Sequence, residues 1–334
     1  MLARSSSRIL GLALVALIVP LFAAAPARAA SASCEVTDAF PQGDPAGDIL
    51  QVNDSSNSVT HIYRDGDEIV VSSNADRNPA VCTGAVPTVF NIDRIIYKTR
   101  RSVPFINYHG DGPLAPGVSP EPGAAEIEIT IQEDYDPKVV NIAGTNESER
   151  IVAGQIHREL SGVNMNADAD KDADVIFDAP ERAFLRIIAR DGDDELSALG
   201  GPGFAGPFEP AERLTFAGGL GDDVLSGGPF RDVLSGNEGD DELFGGRGRD
   251  KLTIGPGRDL AEGGKGNDDI YNQSDVGGIE PDLFPDRVFG GAGDDSISVG
   301  QQLRGDRVEC GAGRDDVFKD AGDITLDCEE TGFR

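Results

Sequence analysis

Gly218-Gly219-Leu220-Gly221-Asp222-Asp223-Val224-Leu225-Ser226 is the first of nine consecutive nonamers that divide residues 218–298 without a gap. A second clear copy is Gly263-Gly264-Lys265-Gly266-Asn267-Asp268-Asp269-Ile270-Tyr271. Position six reads Asp223, Asp232, Asp241, Asp250, Asp259, Asp268, Gly277, Asp286 and Asp295. Position eight reads Leu225, Leu234, Leu243, Leu252, Ala261, Ile270, Ile279, Val288 and Ile297. The first column is Asp in eight of nine copies and the second is apolar in all nine, a register that biased composition alone does not hold.

One apolar side chain per nonamer, always in the same place, describes a short strand that buries a single residue. The Gly- and Asp-rich residues ahead of it form a turn that needs positive φ and bare backbone. Two nonamers then make one coil of turn, strand, turn, strand. Stacked coils predict two parallel sheets with an aliphatic ladder between them, a quasi-one-dimensional solenoid. Each turn sets its Asp above the Asp two nonamers away, and such columns of carboxylates repel one another unless a cation lies between them.

These nonamers resemble the hemolysin-type calcium-binding repeats of the RTX family, G-G-x-G-x-D-x-U-x. The resemblance implies a parallel β-roll in which several Ca²⁺ ions sit between turns of the same edge. The ligands would be the position-six carboxylates and turn carbonyls, the hard oxygens that Ca²⁺ requires. Carried over residue by residue, one edge would use Asp223, Asp241 and Asp259. The other would use Asp232, Asp250 and Asp268, continued by Asp286. The matching turn glycines are Gly219, Gly221, Gly239, Gly246, Gly248, Gly257, Gly264 and Gly266. Asp295 opens a second short run.

Some copies depart from the pattern. Phe230 replaces the fourth-position Gly, and residues 272–280 lack both the Asp and the turn glycines. The copy at 281–289 keeps Asp286 and Val288 but has Pro281 and Phe284 in its turn. About four good sites are therefore expected between Gly218 and Tyr271. Beyond a slip at Val299-Gly300 the period resumes, with Cys310 where the first Gly belongs and Asp315 and Val317 in their columns. This tail resembles the ends of exported, actinobacterial-type repeat proteins. Many RTX proteins instead leave by a C-terminal signal.

The 334 residues carry 29 basic and 59 acidic side chains, a net charge of −30. Such acidity argues against nucleic acid as a partner. Arg4 and Arg8 precede an apolar run from Ile9 to Phe22, followed by Pro26-Ala27-Arg28-Ala29-Ala30. That is the pattern of a secretory signal peptide over residues 1–30, cut after Ala29 or Ala32. Fourteen apolar residues are too few to span a bilayer, and no later stretch suggests membrane insertion. Removing Arg4, Arg8 and Arg28 leaves 26 basic against 59 acidic groups, or −33. An exported chain with four cysteines predicts disulfides. Three pairings are open, and Cys34–Cys82 with Cys310–Cys328 is the most local. The second bridge would seal the end of the solenoid, where an uncovered sheet edge invites aggregation.

The fold class expected is all-β, a parallel β-roll in the C-terminal half behind an irregular β-rich N-terminal half. Residues 31–124 read as a small β-rich region and 125–217 as an irregular start of the solenoid. Residues 218–318 read as the repeat roll and 319–334 as its cap. Glu126-Ile127-Glu128-Ile129-Thr130-Ile131 alternates as a strand does, and Asp194 with Leu196 fits the repeat columns. Residues 125–217 could equally be a separate β-sandwich.

No motif for catalysis stands out. His157-Arg158-Glu159-Leu160 only begins like H-E-x-x-H, and His61 and His109 lack a nucleophile in a recognisable setting. The ladder Asp168, Asp170, Asp172, Asp174 with Glu181 resembles an EF-hand loop, but Val175 stands where Gly is required. The expected function is that of an extracellular, non-enzymatic calcium-binding protein whose other partner is a cell-surface or extracellular polymer. The rival reading is a calcium-dependent polysaccharide-cleaving β-helix with Lys98 or Arg100 as base.

Overall fold

The structure, a computed structural model, describes residues 32–37, 48–54, 59–73, 80, 82–84, 87, 92–99, 103–107, 127–133, 138–157, 160–165, 173–178, 183–202, 204–208, 213–272, 284–299 and 305–333. Among these there are strands and no helix, arranged in two long sheets of 15 and 12 strands. The segment read as a signal peptide lies outside the described residues.

Successive nonamers feed alternate sheets. Val224–Ser226 pairs in parallel with Glu242–Arg247, setting Leu225 against Leu243. Asp232–Glu238 pairs in the other sheet with Lys251–Ile254, setting Leu234 against Leu252. The coil is therefore 18 residues, as two nonamers require. The position-eight residues Leu225, Leu234, Leu243, Leu252, Ala261, Ile270, Val288 and Ile297 are all fully buried between the sheets. Their neighbours alternate outward, so each strand contributes a narrow slice of core.

Within residues 218–298 the 18-residue step is lengthened once. Ala261 pairs with Val288 and Ile270 with Ile297, a step of 27. The extra nonamer is taken up between Asn272 and Phe284, most of it outside the described residues, and neither ladder is broken. Losing one nonamer from the count exchanges the two edges. Asp286 therefore continues the edge of Asp259, and Asp295 that of Asp268, which corrects the assignment of Asp286 to the edge of Asp232, Asp250 and Asp268. A step of 20 follows, Val288 to Val308 and Ile297 to Val317.

The solenoid also extends further upstream than the glycine-rich period. Ala183–Asp191 pairs in parallel with both Arg213–Leu220 and Lys138–Ala143. Lys138–Ala143 pairs in turn with Val103–Asn107, and that strand with Val59–Asp65. In the other sheet Asp48–Asp54, Ile92–Thr99 and Glu128–Glu133 are parallel neighbours. A boundary near residue 125 and a separate sandwich after it have no counterpart in these ladders. The core widens here to take Tyr97, Phe177, Ile95, Ile129 and Ile131. Longer strands with larger inward side chains do not need the tight turn, so the turn signature is absent although the architecture persists.

Both ends are closed. Antiparallel strands Ala32–Thr37 and Glu68–Ser73 finish the two sheets at the N-terminal end. Cys34 is bonded to Cys82, and Thr83 runs beside the edge, donating its N–H to the Cys34 carbonyl at 2.9 Å. At the other end Cys310 is bonded to Cys328, just past the strand Ile324–Leu326. Both pairings match the most local choice.

Candidate metal centres along two aspartate ladders

The turns on each edge are joined by a chain of side-chain hydrogen bonds. The N–H of Asp223 donates to Oδ1 of Asp241 at 2.9 Å, and the N–H of Asp241 to Oδ1 of Asp259 at 2.8 Å. Asp259 continues to Asp286 at 3.0 Å and Asp286 to Asp306 at 2.9 Å. The other edge runs from Asp232 to Asp250, Asp268, Asp295 and Asp315, with distances of 2.8 to 3.0 Å. Each position-six Asp is at most 3% exposed, so its carboxylate is removed from water by the coils above and below.

One oxygen of each carboxylate is used in this way, and the second divides the turns. Oδ2 of Asp194, Asp223, Asp241, Asp250, Asp268, Asp295 and Asp315 is buried and accepts no hydrogen bond. By contrast, Oδ2 of Asp232 accepts the Gly228 N–H at 2.7 Å, that of Asp259 the Gly255 N–H, and that of Asp286 the Asn272 Nδ2. A buried carboxylate oxygen with no donor is costly unless a proton or a cation answers it. The carboxyls register this cost. Burial, with the neighbouring carboxylates Asp241 and Asp194 adding to it, pushes Asp223 up to about 7. Burial and the Asp268 charge take Asp250 to about 7, and burial takes Asp232, whose Oδ2 does have a donor, to about 8, so burial is the common cause.

Glycine makes the oxygens of one turn accessible to the next. Gly239 has φ of 139°, and a Cβ there would collide with the Gly221 carbonyl of the preceding coil. Gly264, at φ 104°, stands in the same way against the Gly246 carbonyl. The remaining glycines expected at the site occupy equivalent places in these two columns. Bare backbone thus lets the carbonyls of one turn approach the next, beside the carboxylates.

Among the described residues no three His, Cys, Asp or Glu side chains converge as a self-sufficient metal site. Each turn offers carboxylate oxygens from its own ladder and carbonyls from its backbone. That mixed, all-oxygen donor set suits Ca²⁺, which tolerates irregular geometry and takes carbonyl ligands readily. The unanswered Oδ2 atoms and the cleared carbonyls both fit such an ion.

The RTX calcium-binding nonapeptide repeat matches residues 217–252, 255–275 and 284–302, in four copies. The chain carries RTX calcium-binding nonapeptide repeats in its C-terminal region. No curated protein and no solved structure matches the chain. The interruption of the match between residues 275 and 284 falls on the extra nonamer, where the ladder steps by 27 instead of 18. Ca²⁺ is the cation such repeats bind.

The ladders also include residues that the repeat pattern did not place among the metal ligands. Asp194, Asp306 and Asp315 extend the two edges beyond the matched repeats. Asp306 had a legible sign in the following Arg307-Val308, which occupies positions seven and eight. A second, exposed ladder was missed entirely. The N–H of Asp222 donates to Asp193 Oδ1 at 3.0 Å, and that of Asp240 to Asp222 Oδ1 at 2.8 Å. It uses position five and runs in the opposite sense to the position-six ladder.

The other candidates lie apart from these turns. His61 packs against the Phe105 ring. Lys98 lies on Ile92–Thr99 beside Gln132, while Arg100 falls outside the described residues. So do Asp168, Asp170, Asp172, Glu181 and His109. Asp174, the last of the EF-hand-like ladder, accepts the Met165 N–H at 2.5 Å through Oδ2.

Proposed function

We propose that the protein is an exported β-roll whose fold is completed by several Ca²⁺ ions, serving contact with an extracellular or cell-surface polymer. The observation that carries the calcium part is the set of seven buried Asp oxygens without a hydrogen-bond donor, repeated at turn spacing. The ion's task is to neutralise the stacked carboxylates so that the turns can close. Ligands for it are the Oδ2 atoms of Asp194, Asp223 and Asp241 on one edge and of Asp250, Asp268, Asp295 and Asp315 on the other, with turn carbonyls. Export is supported by the N-terminal pattern of a signal peptide and by two disulfides.

A groove of about 630 Å³ on one side of the roll supports the polymer contact. Gly228, Gly246, Gly264 and Gly291 line it together with Arg247, Lys265 and Glu262. The deciding experiment is calcium titration of the chain from residue 33 by circular dichroism and calorimetry. A chelator-independent spectrum and no heat of binding would remove the reading, whereas a coil-to-β conversion with Mg²⁺ a poor substitute is the expected result.

A further inference from the structure

The two aspartate ladders end differently. On the edge of Asp259 the column closes at Asp323, whose Oδ1 accepts the Asp306 N–H at 3.0 Å and whose Oδ2 accepts the Asp320 N–H at 2.7 Å. Backbone donors alone satisfy that carboxylate. On the other edge Asp315 is fully buried, and its Oδ2 has no donor. The next coil supplies no aspartate there. It supplies Glu329, whose Oε2 accepts the Asp315 N–H at 3.2 Å, the bond that each ladder residue makes to the next.

The strand register agrees. Asp316 pairs with Glu330 and Val317 with Thr331, which sets Glu329 opposite Asp315 in the sixth place of a turn. The step from Asp315 to Glu329 is 14 residues where the regular coil takes 18, so the repeat spacing does not reveal it. Among the described residues Oε1 of Glu329 accepts no hydrogen bond. Glu330–Phe333 is the last strand of its sheet, so no further coil stacks on this turn among the described residues.

A covalent tie stands where that coil would be. Cys328 directly precedes Glu329 and is bonded to Cys310. Cys310 holds the first place of the Asp315 turn, where the earlier copies on this edge have Gly227, Gly245, Gly263 and Gly290. A Cβ on Gly290 would lie 2.8 Å from Asp295 Oδ2, so the first place of a turn borders its ladder carboxylate. The bridge therefore anchors the residue before Glu329 to the Asp315 turn, on the side of the carboxylate.

We propose that Glu329 is a metal ligand that closes a terminal calcium site with Asp315, and that the Cys310–Cys328 bridge holds it in position. The site lies beyond the matched repeats. The inference rests on the calcium reading of the two ladders. Two carboxylates with turn carbonyls make an all-oxygen set, and Ca²⁺ takes Glu as readily as Asp. Elsewhere in the roll the stacked coils on both sides fix each ligand. At the last turn the disulfide does so, by limiting the positions Glu329 can adopt before the ion arrives.

Calorimetric counting of calcium on the full mature chain, with hydrogen exchange by mass spectrometry, tests it. Glu329→Gln keeps the disulfide and an oxygen for the Asp315 N–H, and loses only the charge. It should bind one ion fewer than wild type, and calcium should no longer slow exchange in Glu330–Phe333. Asp327→Asn removes an exposed charge two residues away and should keep the wild-type count. Cys310→Ser with Cys328→Ser should weaken the terminal ion by about 10–100-fold, the usual effect of removing a ligand's support, and leave the other ions as they were. A wild-type count in Glu329→Gln would overturn the ligand, and so would an equal loss in Asp327→Asn, because charge in general would then be the cause. Unchanged affinity in the double Ser variant, or loss of all its ions, would overturn the role of the bridge. A wild type that binds no calcium at all would instead remove the calcium reading beneath the proposal.

Discussion

Asp250 carries two duties through its two carboxylate oxygens. Oδ1 accepts the Asp232 N–H at 2.8 Å, and Oδ2 is buried without a donor. Asp250→Ala strands that N–H, at a cost of about 1–3 kcal/mol. It also removes a ligand from an ion worth about 2.7 kcal/mol at a hundredfold excess over Kd. Asp259→Ala strands the Asp241 N–H in the same way, but its Oδ2 already accepts the Gly255 N–H. Asp259→Ala strands the Gly255 N–H as well, so it should lose at least as much stability as Asp250→Ala in chelator at low pH, whereas the loss in Asp250→Ala should grow more when millimolar calcium is added. A loss that grows equally in both variants on adding calcium, read from thermal melts, would show that the Oδ2 difference has no bearing on the ion. Gly264→Ala is a separate probe of the turn. Its φ of 104° and the Gly246 carbonyl in its path should cost roughly 1–3 kcal/mol or more, with calcium or without.

At the scale of strands and coils, the roll has little redundancy, because each strand buries one or two side chains. Leu243 is fully buried and lies in register with Leu225 and Ala261 in the coils on either side. Leu243→Ala should cost about 2–5 kcal/mol, visible as a lower melting temperature in calcium. The end is held differently. Cys310 and Cys328 are 18 positions apart, and closing that loop is worth roughly 3 kcal/mol in the chain-entropy account. Replacing both with Ser should loosen the last coil first, seen as faster exchange in Ile324–Leu326, and leave the central coils nearly unchanged. Strand placement in this half was legible because one Asp and one aliphatic column repeat every nine residues. What the period concealed was its own interruption. A nonamer that leaves the stack still occupies nine positions in the chain, so Asp286 keeps its column yet changes edge. The N-terminal coils were illegible for another reason. The segments between their strands carry no repeating Gly and Asp columns, and alternation of Ile129 with Ile131 marks a strand without saying which strand it joins.

For the molecule as a whole, protons and calcium compete for the same carboxylates, and the direction of the pH effect separates them. Asp223 and Asp250 are pushed up to about 7, and Asp232 and Asp259 to about 8, with burial the first cause in each. An unfolded Asp titrates near 3.9, at about one rounded value for all of them. A carboxyl whose folded value is raised stabilises the fold fully below the unfolded value and loses that stabilisation as pH rises through the folded one. In chelator the repeat half should therefore be most stable near pH 4–5 and melt progressively at lower temperature toward pH 8, as buried charges accumulate in a mature chain at −33. Calcium reverses the trend. It binds the ionised form, so its affinity should fall as pH drops from 8 toward 5 and protons displace it. Melting curves at pH 5, 6.5 and 8, each in chelator and in calcium, should converge at pH 5 and separate widely at pH 8. The separation should also be cooperative across coils, since each ladder hydrogen bond ties the carboxylate of one turn to the backbone of the next. Curves that shift in parallel in both media would mean that the titrating groups lie elsewhere and that the two Asp ladders hold neither the protons nor the ions.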